Sequence, residues 1–184
     1  MILLRHGQSE FNVHFSATRR DPGIIDPELT ALGHQQAAQA AEALIVEPIS
    51  RVIVSPYTRA LQTAAPLLAR SGLRAEIEPL VRERFAFKCD VGRAPSLLAA
   101  SFSAHGFEHL AEQWWPETLE SEASVIARAD AFRAQIAARD DWAETVLISH
   151  WGFILALTGQ SVMNGQWIRF DPLAPPPETI IWHP

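Results

Sequence analysis

Three short apolar runs constrain this chain most: ILL at residues 2–4, RVIV at 51–54 and TVLIS at 145–149. None of them alternates apolar with polar residues. A strand with one wet face alternates, whereas a strand covered on both faces reads as a continuous apolar run. The runs therefore predict a parallel sheet with helices on each side. Two weaker stretches, Ala75–Glu78 and Thr179–Trp182, are expected to add further strands.

Helical patterns fill the gaps. Thr30 is a natural N-cap for LTALGHQQAAQAAEALI. Pro56 to about Ala69 places Ala60, Leu61, Ala64, Leu67 and Leu68 at helical spacing. Ala123–Arg139 carries a stripe of Val125, Ile126, Ala129, Phe132 and Ile136. Phe153–Leu157 opens a fourth helix that ends near Gly159. Strands alternating with helices give an α/β class, here a three-layer α/β/α sandwich with a mostly parallel central sheet. Residues 84–122 break that rhythm. They are rich in aromatics, show a short helical pattern from Pro95 and hold no clear strand. A segment of that size cannot support its own core, so it is expected as a small helical or loop cap inserted in one domain spanning 1–184. Trp114 and Trp115 are expected to pack it onto the sheet.

Composition excludes several classes. The formal charge is -6, which argues against nucleic acid or an anionic membrane surface as the main partner. No apolar segment approaches the roughly 20 residues needed to span a bilayer, and the N-terminus lacks a secretory pattern. The single cysteine, Cys89, rules out an intrachain disulfide and a cysteine-rich zinc site. A cytoplasmic location is the resulting expectation. Oligomeric state is not legible.

ILLRHG and VLISHWG share a form: an apolar run, one polar residue, a histidine, then a glycine next or next but one. If both are parallel strands, His6 and His150 stand at carboxyl ends, where open α/β sheets bind ligands. In VIVSPYTRALQTA the strand leads into a helix whose first turns carry Arg59. Helix N-termini attract anions, and Arg5 with Arg59 would supply two guanidinium forks for a phosphate. Glu83, just past the third strand, is a candidate proton donor. Taken singly, each histidine also suits a structural place at a strand end, and Arg59 a surface ion pair. His105 and His109 stand four apart, a spacing that can bind metal, but Gly106 interrupts them and no third ligand is apparent. His14, His34 and His183 belong to no motif.

Together these segments resemble the histidine phosphatase superfamily, the phosphoglycerate mutase-like proteins. LLRHGQSEFN is similar to the family's RHG signature, PELTALGHQQA to its LTxxGxxQA segment and SPYTRALQTA to SPxxRAxQTA. LVRER resembles the segment carrying its acid, and SHWG stands where SHGG or GHGG is usual. The motifs run in the family's order from residue 2 to 152.

The resemblance implies a metal-independent phosphatase acting on a small phosphorylated metabolite, with no cofactor. His6 would attack phosphorus and carry a phosphohistidine. Its other ring nitrogen would donate to a carbonyl of the Gly7 loop, and Gly7 would let backbone approach the ligand. Arg5, Arg59 and His150 would hold the phosphoryl oxygens, with Asn12 as a further donor, and Glu83 would protonate the leaving oxygen. Alternatives on the same core residues are a phosphoglycerate-type mutase and a phosphoprotein or phosphohistidine phosphatase; a non-enzymatic scaffold is a further one. Two departures bear on substrate choice. Trp151 replaces a small residue and would narrow the pocket or stack on substrate. FKCDVGRAPS replaces the usual glycine-tryptophan-glycine pattern, which leaves open whether Arg84, Lys88 or Arg93 meets a second anionic group.

Overall fold

The computed structural model describes residues 1–182; His183 lies outside them. The central sheet contains β1 (Ile2–Arg5), β2 (Arg51–Val54), β3 (Ala75–Ile77), β4 (Thr145–Ser149) and β5 (Trp167–Arg169). Their spatial order is β3-β2-β4-β1-β5. The first four are mutually parallel, while β5 runs antiparallel along β1 with Ile2 opposite Arg169. The fold is thus a mixed, mostly parallel α/β sheet flanked by helices.

Strand alternation explains why the runs are apolar throughout. Ile2, Leu4, Val52, Val54, Val146 and Ile148 face one core, shared with α2 (Ala31–Leu44) and α3 (Thr58–Ser71). Leu3, Ile53 and Leu147 face the other, shared with α5 (Glu122–Ala137) and α6 (Trp151–Thr158). The central positions of these strands meet a helix layer on one face or the other, so they have no reason to be polar. The caps are as local as the sequence suggests. The Thr30 hydroxyl accepts from Gly33 N at 3.1 Å, and the Ser121 hydroxyl accepts from Ser124 N at 3.2 Å.

Three expectations change. Thr179–Trp182 forms no strand. The β1 edge is already covered by Trp167–Arg169, which turns back after Gly165, and Trp182 instead packs beside Trp151 at 6.4 Å between ring centroids. The fourth helix begins at Trp151, directly after His150, rather than at Phe153. A helix not foreseen, α1 (Glu10–Thr18), follows the first strand. Only Phe11 of α1 is buried, so it leaves little apolar periodicity in the sequence. Its first turn is fixed by Asn12, whose Oδ1 accepts from Ser9 N at 2.9 Å.

Residues 84–122 contain a 3₁₀ turn (Lys88–Asp90), α4 (Pro95–Ser101) and the first residue of α5, with irregular backbone between them. Leu98, Phe107, Leu110 and Trp114 join the core on the α2/α3 face. The Trp114 indole N–H donates to the Arg93 carbonyl at 2.9 Å, which satisfies its polar edge. At the far end Glu120, only 6% exposed, accepts from Arg128 Nε and Nη2 at 2.8 Å each and from Arg82 at 3.1 Å.

The loop after β1 is held by a backbone contact. A Cβ at Gly33 would stand 2.1 Å from the Gln8 carbonyl oxygen, and one at Gly7 would stand 2.4 Å from the Gly33 oxygen. Gly7 therefore makes room for the start of α2. Both neighbours are backbone and cannot swing aside. Gly33→Ala is expected to cost about 2 kcal/mol or more by overpacking. Urea unfolding measures this, and a midpoint equal to the wild type would contradict the contact.

Candidate active site

Parallel pairing of β1 with β4 sets Arg5 opposite Ser149. Both chains then turn out of the sheet at the same level, and His6 N donates to the Ser149 carbonyl at 3.0 Å. The rings of His6 and His150 lie 5.0 Å apart between centroids. Two residues separated by 144 positions thus become neighbours through strand register alone.

His6 is buried, and its Nδ1 lies 2.7 Å from the Gly7 carbonyl oxygen. A carbonyl can only accept, so Nδ1 carries the proton and Nε2 presents a lone pair. His150 is fully buried as the N-cap of α6. Its Nε2 is 2.7 Å from Ser55 Oγ, and its Nδ1 has no partner among the described residues. Burial, then the positive charges of Arg59 and Arg5, holds the His6 pKa well below 6.5. Burial and Arg59 do the same for His150. Both rings are neutral near pH 7.

Arg5 donates through Nη1 to the Val162 carbonyl at 2.8 Å, while its buried Nε has no partner among the described residues. Burial brings its pKa down to about 10, with Glu83 opposing and Arg59 adding to the shift. Arg59 lies against the Tyr57 ring at 4.4 Å and donates to the Cys89 carbonyl at 2.8 Å. Its Nη2 pairs with Asp90 Oδ1 at 3.2 Å, both side chains being almost wholly buried. Burial pushes Asp90 up to about 6, against the pull of Arg59.

Glu83 Oε2 accepts from Gly152 N at 3.1 Å, and its Oε1 accepts from Arg84 N at 2.8 Å. The carboxylate therefore sits on the first turn of α6, where free N–H groups favour negative charge. A Cβ at position 152 would stand 2.4 Å from Oε1, so the absent side chain is what admits the carboxylate. Asn12 Oδ1 accepts from Ser9 N, Ser9 Oγ and Asn164 Nδ2 at 2.9, 2.9 and 3.2 Å. Three donors on the oxygen fix the amide orientation and leave Nδ2 to donate elsewhere.

Arg5, His6, Asn12, Arg59, Glu83 and Trp151 line one cavity of about 450 Å³. His150 is not among the residues that line it, and its ring neighbours that of His6. The α3 N-terminus does not take part as the sequence reading proposed, because Asp26 accepts from Thr58 N at 3.0 Å and occupies it. Of the three basic residues left open, only Arg84 reaches the cavity; Arg93 pairs with Asp26 at 3.2 Å and Lys88 is exposed. Cys89 is buried with its thiol pKa pushed up by burial. His109 Nε2 donates to the Ile77 carbonyl at 2.7 Å, and no cluster of three metal-ligating side chains occurs among the described residues.

Two contributors had no signal in the sequence. Asn164 donates to the His6 carbonyl at 3.1 Å as well as to Asn12, so it holds the loop from the far end of the chain. Arg128 donates to the carbonyls of Leu80, Arg82 and Glu83 at 2.6, 3.0 and 3.4 Å, which pins the segment that delivers Glu83.

The buried histidines tie stability to pH. In the unfolded chain they take protons near pH 6.5, whereas in the folded chain they stay neutral. Their contribution is intact above about pH 6.5 and is lost as pH falls below it, at up to about 1.4 kcal/mol per pH unit for each ring. In His150→Gln the fall in Tm between pH 6.5 and 5.5 is expected to be shallower than in the wild type. Parallel curves would contradict the assignment.

Comparison with known proteins agrees with this geometry. The sequence matches the profile of the histidine phosphatase superfamily (branch 1) over residues 1–173. It is 32% identical over 165 residues to a glucosyl-3-phosphoglycerate phosphatase of Mycolicibacterium vanbaalenii, covering 86% of this chain and 72% of that protein. A probable phosphoglycerate mutase of an Enterobacter species is 38% identical over 83 residues, 45% of this chain and 37% of that protein. Among solved structures, mycobacterial glucosyl-3-phosphoglycerate phosphatase complexed with VO3 superposes with a TM-score of 0.65 at 27% identity, over 91% of this chain and 88% of that one. The chain belongs to branch 1 of the histidine phosphatase superfamily.

Proposed function

We propose that this chain is a metal-independent phosphatase that hydrolyses a small phosphomonoester through a phosphohistidine on His6, with Glu83 as general acid and base. One observation carries the reading. The His6 Nδ1–H is committed to the Gly7 carbonyl, so the Nε2 lone pair is available beside the buried Arg59 and the half-buried Arg5. That is the tautomer a nucleophilic imidazole needs.

The steps balance on these residues. His6 Nε2 attacks phosphorus, the P–O bond to the alcohol breaks, and Glu83 gives its proton to the departing oxygen. Water then attacks the phosphohistidine, Glu83 takes a proton back, and the N–P bond breaks to release inorganic phosphate. Arg5 Nε and His150 Nδ1, both buried with no partner among the described residues, are the donors a phosphoryl oxygen would satisfy. Asn12 Nδ2 adds a third. The substrate's negative charge is what would keep a proton on Glu83 before attack and draw one onto His150. A metabolite ester as substrate is supported by the relatives that act on glucosyl-3-phosphoglycerate. Hydrolysis over mutase chemistry is supported by their longer match to this chain.

Wild type should release phosphate from p-nitrophenyl phosphate in EDTA and show an alkali-stable phosphoryl group after rapid quench. His6→Ala should lose both. Equal release by the two proteins would overturn the mechanism.

Glu83→Gln discriminates by leaving group. An alkoxide needs a proton to depart, and p-nitrophenolate does not. In this variant kcat/KM should fall about 10²–10⁴-fold for alkyl phosphates and far less for p-nitrophenyl phosphate. An equal fall for both would remove Glu83 from the acid role.

A further inference from the structure

The walls above the phosphate cradle are aromatic. Phe11 and Phe15 of α1 stack at 5.1 Å between centroids with 16° between planes, and Phe87 closes on them at 5.5 and 5.0 Å. All three line the cavity; Phe11 is buried as the base of the group, and Phe15 and Phe87 are half-buried. Trp151 and Trp182 line it as well. The Trp151 indole is held by its N–H to Ser161 Oγ at 2.9 Å, which fixes its plane.

Two cations stand on these walls, each against an aromatic ring. The Arg84 guanidinium donates to the Glu120 carbonyl at 3.0 Å, pairs with Glu122 at 3.3 Å and lies over the Trp182 ring at 5.1 Å. Arg19 lies over the Phe15 ring at 5.6 Å. At the floor, Arg59 pairs with Asp90 at 3.2 Å, and Arg5 and Glu83 line the same cavity.

From this arrangement we infer that the enzyme selects phosphomonoesters whose alcohol carries an aromatic or flat apolar group. The inference rests on the phosphatase reading above. Rigid aromatic walls reward a flat apolar partner, and Phe15, Phe87 and Trp151 supply them.

The test compares kcat/KM for 2-phenylethyl phosphate, glycerol 3-phosphate and 3-phosphoglycerate. All three are alkyl monoesters, so leaving-group basicity does not decide the order. Phenylethyl phosphate should exceed each of the other two by about tenfold or more. In Phe15→Ala and Phe87→Ala the ratio of the first two should fall toward one. The same variants made as leucine keep the volume and cover failure to fold.

Calorimetry with 2-phenylethylphosphonate against methylphosphonate gives the preference without turnover, and about tenfold tighter binding of the former is expected. Equal kcat/KM values, equal phosphonate affinities or a lead for 3-phosphoglycerate would overturn the inference while leaving the phosphatase intact. If no ester is turned over, the phosphatase reading falls. The phosphonate ratio then still decides the pocket's preference, a tenfold ratio supporting it and equal affinities overturning it.

Discussion

β1 lies between β4 and β5, and its parallel register with β4 is the contact on which the site depends. It places Arg5 against Ser149 and makes the next residues of the two strands, His6 and His150, ring neighbours. The surrounding contacts serve to hold what that register creates. Gly33 packs against the loop after His6, Asn164 ties its carbonyls, and Thr63 receives the Gly7 N–H at 3.1 Å. A slip of one residue would turn both histidines to opposite faces of the sheet.

The electrostatics follow from burial. Guanidinium groups packed beside two buried neutral imidazoles would be costly to desolvate unless balanced. Asp90 balances Arg59, and Glu83 stands near Arg5. On the proposed mechanism an entering phosphate would compete with Asp90 for Arg59, and its release would be less steep than from two uncompensated guanidinium groups. Asp90 comes from the part of the chain that departs most from the family's pattern, FKCDVGRAPS.

What the sequence revealed and what it concealed have distinct physical origins. The strands of the parallel core were readable because two-sided burial writes itself as an unbroken apolar run. RVIV and TVLIS coincide with β2 and β4 to the residue. The cradle was readable because its motifs are local: RHG, SPxxRA and SHWG each fold into a strand end and the turn after it. α1 was hidden, since a helix that buries one residue leaves no stripe. β5 was hidden because a three-residue edge strand is set by its partner rather than by its own pattern, and TIIW offered a stronger pattern with no edge to join. Asn164 and Arg128 act on backbone carbonyls across 158 and 45 positions, and no spacing rule reaches that far. Asp26 shows the reverse error: a helix N-terminus read as an anion site was already occupied by the chain's own carboxylate.

The tie from Asn164 back to the His6 carbonyl has a consequence for how the molecule is made. β1 leaves the ribosome before the two strands that flank it, which pair with it from more than 140 residues further along. Until residue 149 has emerged, Ile2–Arg5 is an apolar strand with two open edges. Until residue 164 has emerged, the loop that carries His6 lacks the tie on the His6 carbonyl. The nascent chain therefore stays without a completed site until those later segments have been made. Pairing across such separations is slow, and its exposed edges invite association. Yield in a cell is then governed by how well this first strand is sheltered while it waits.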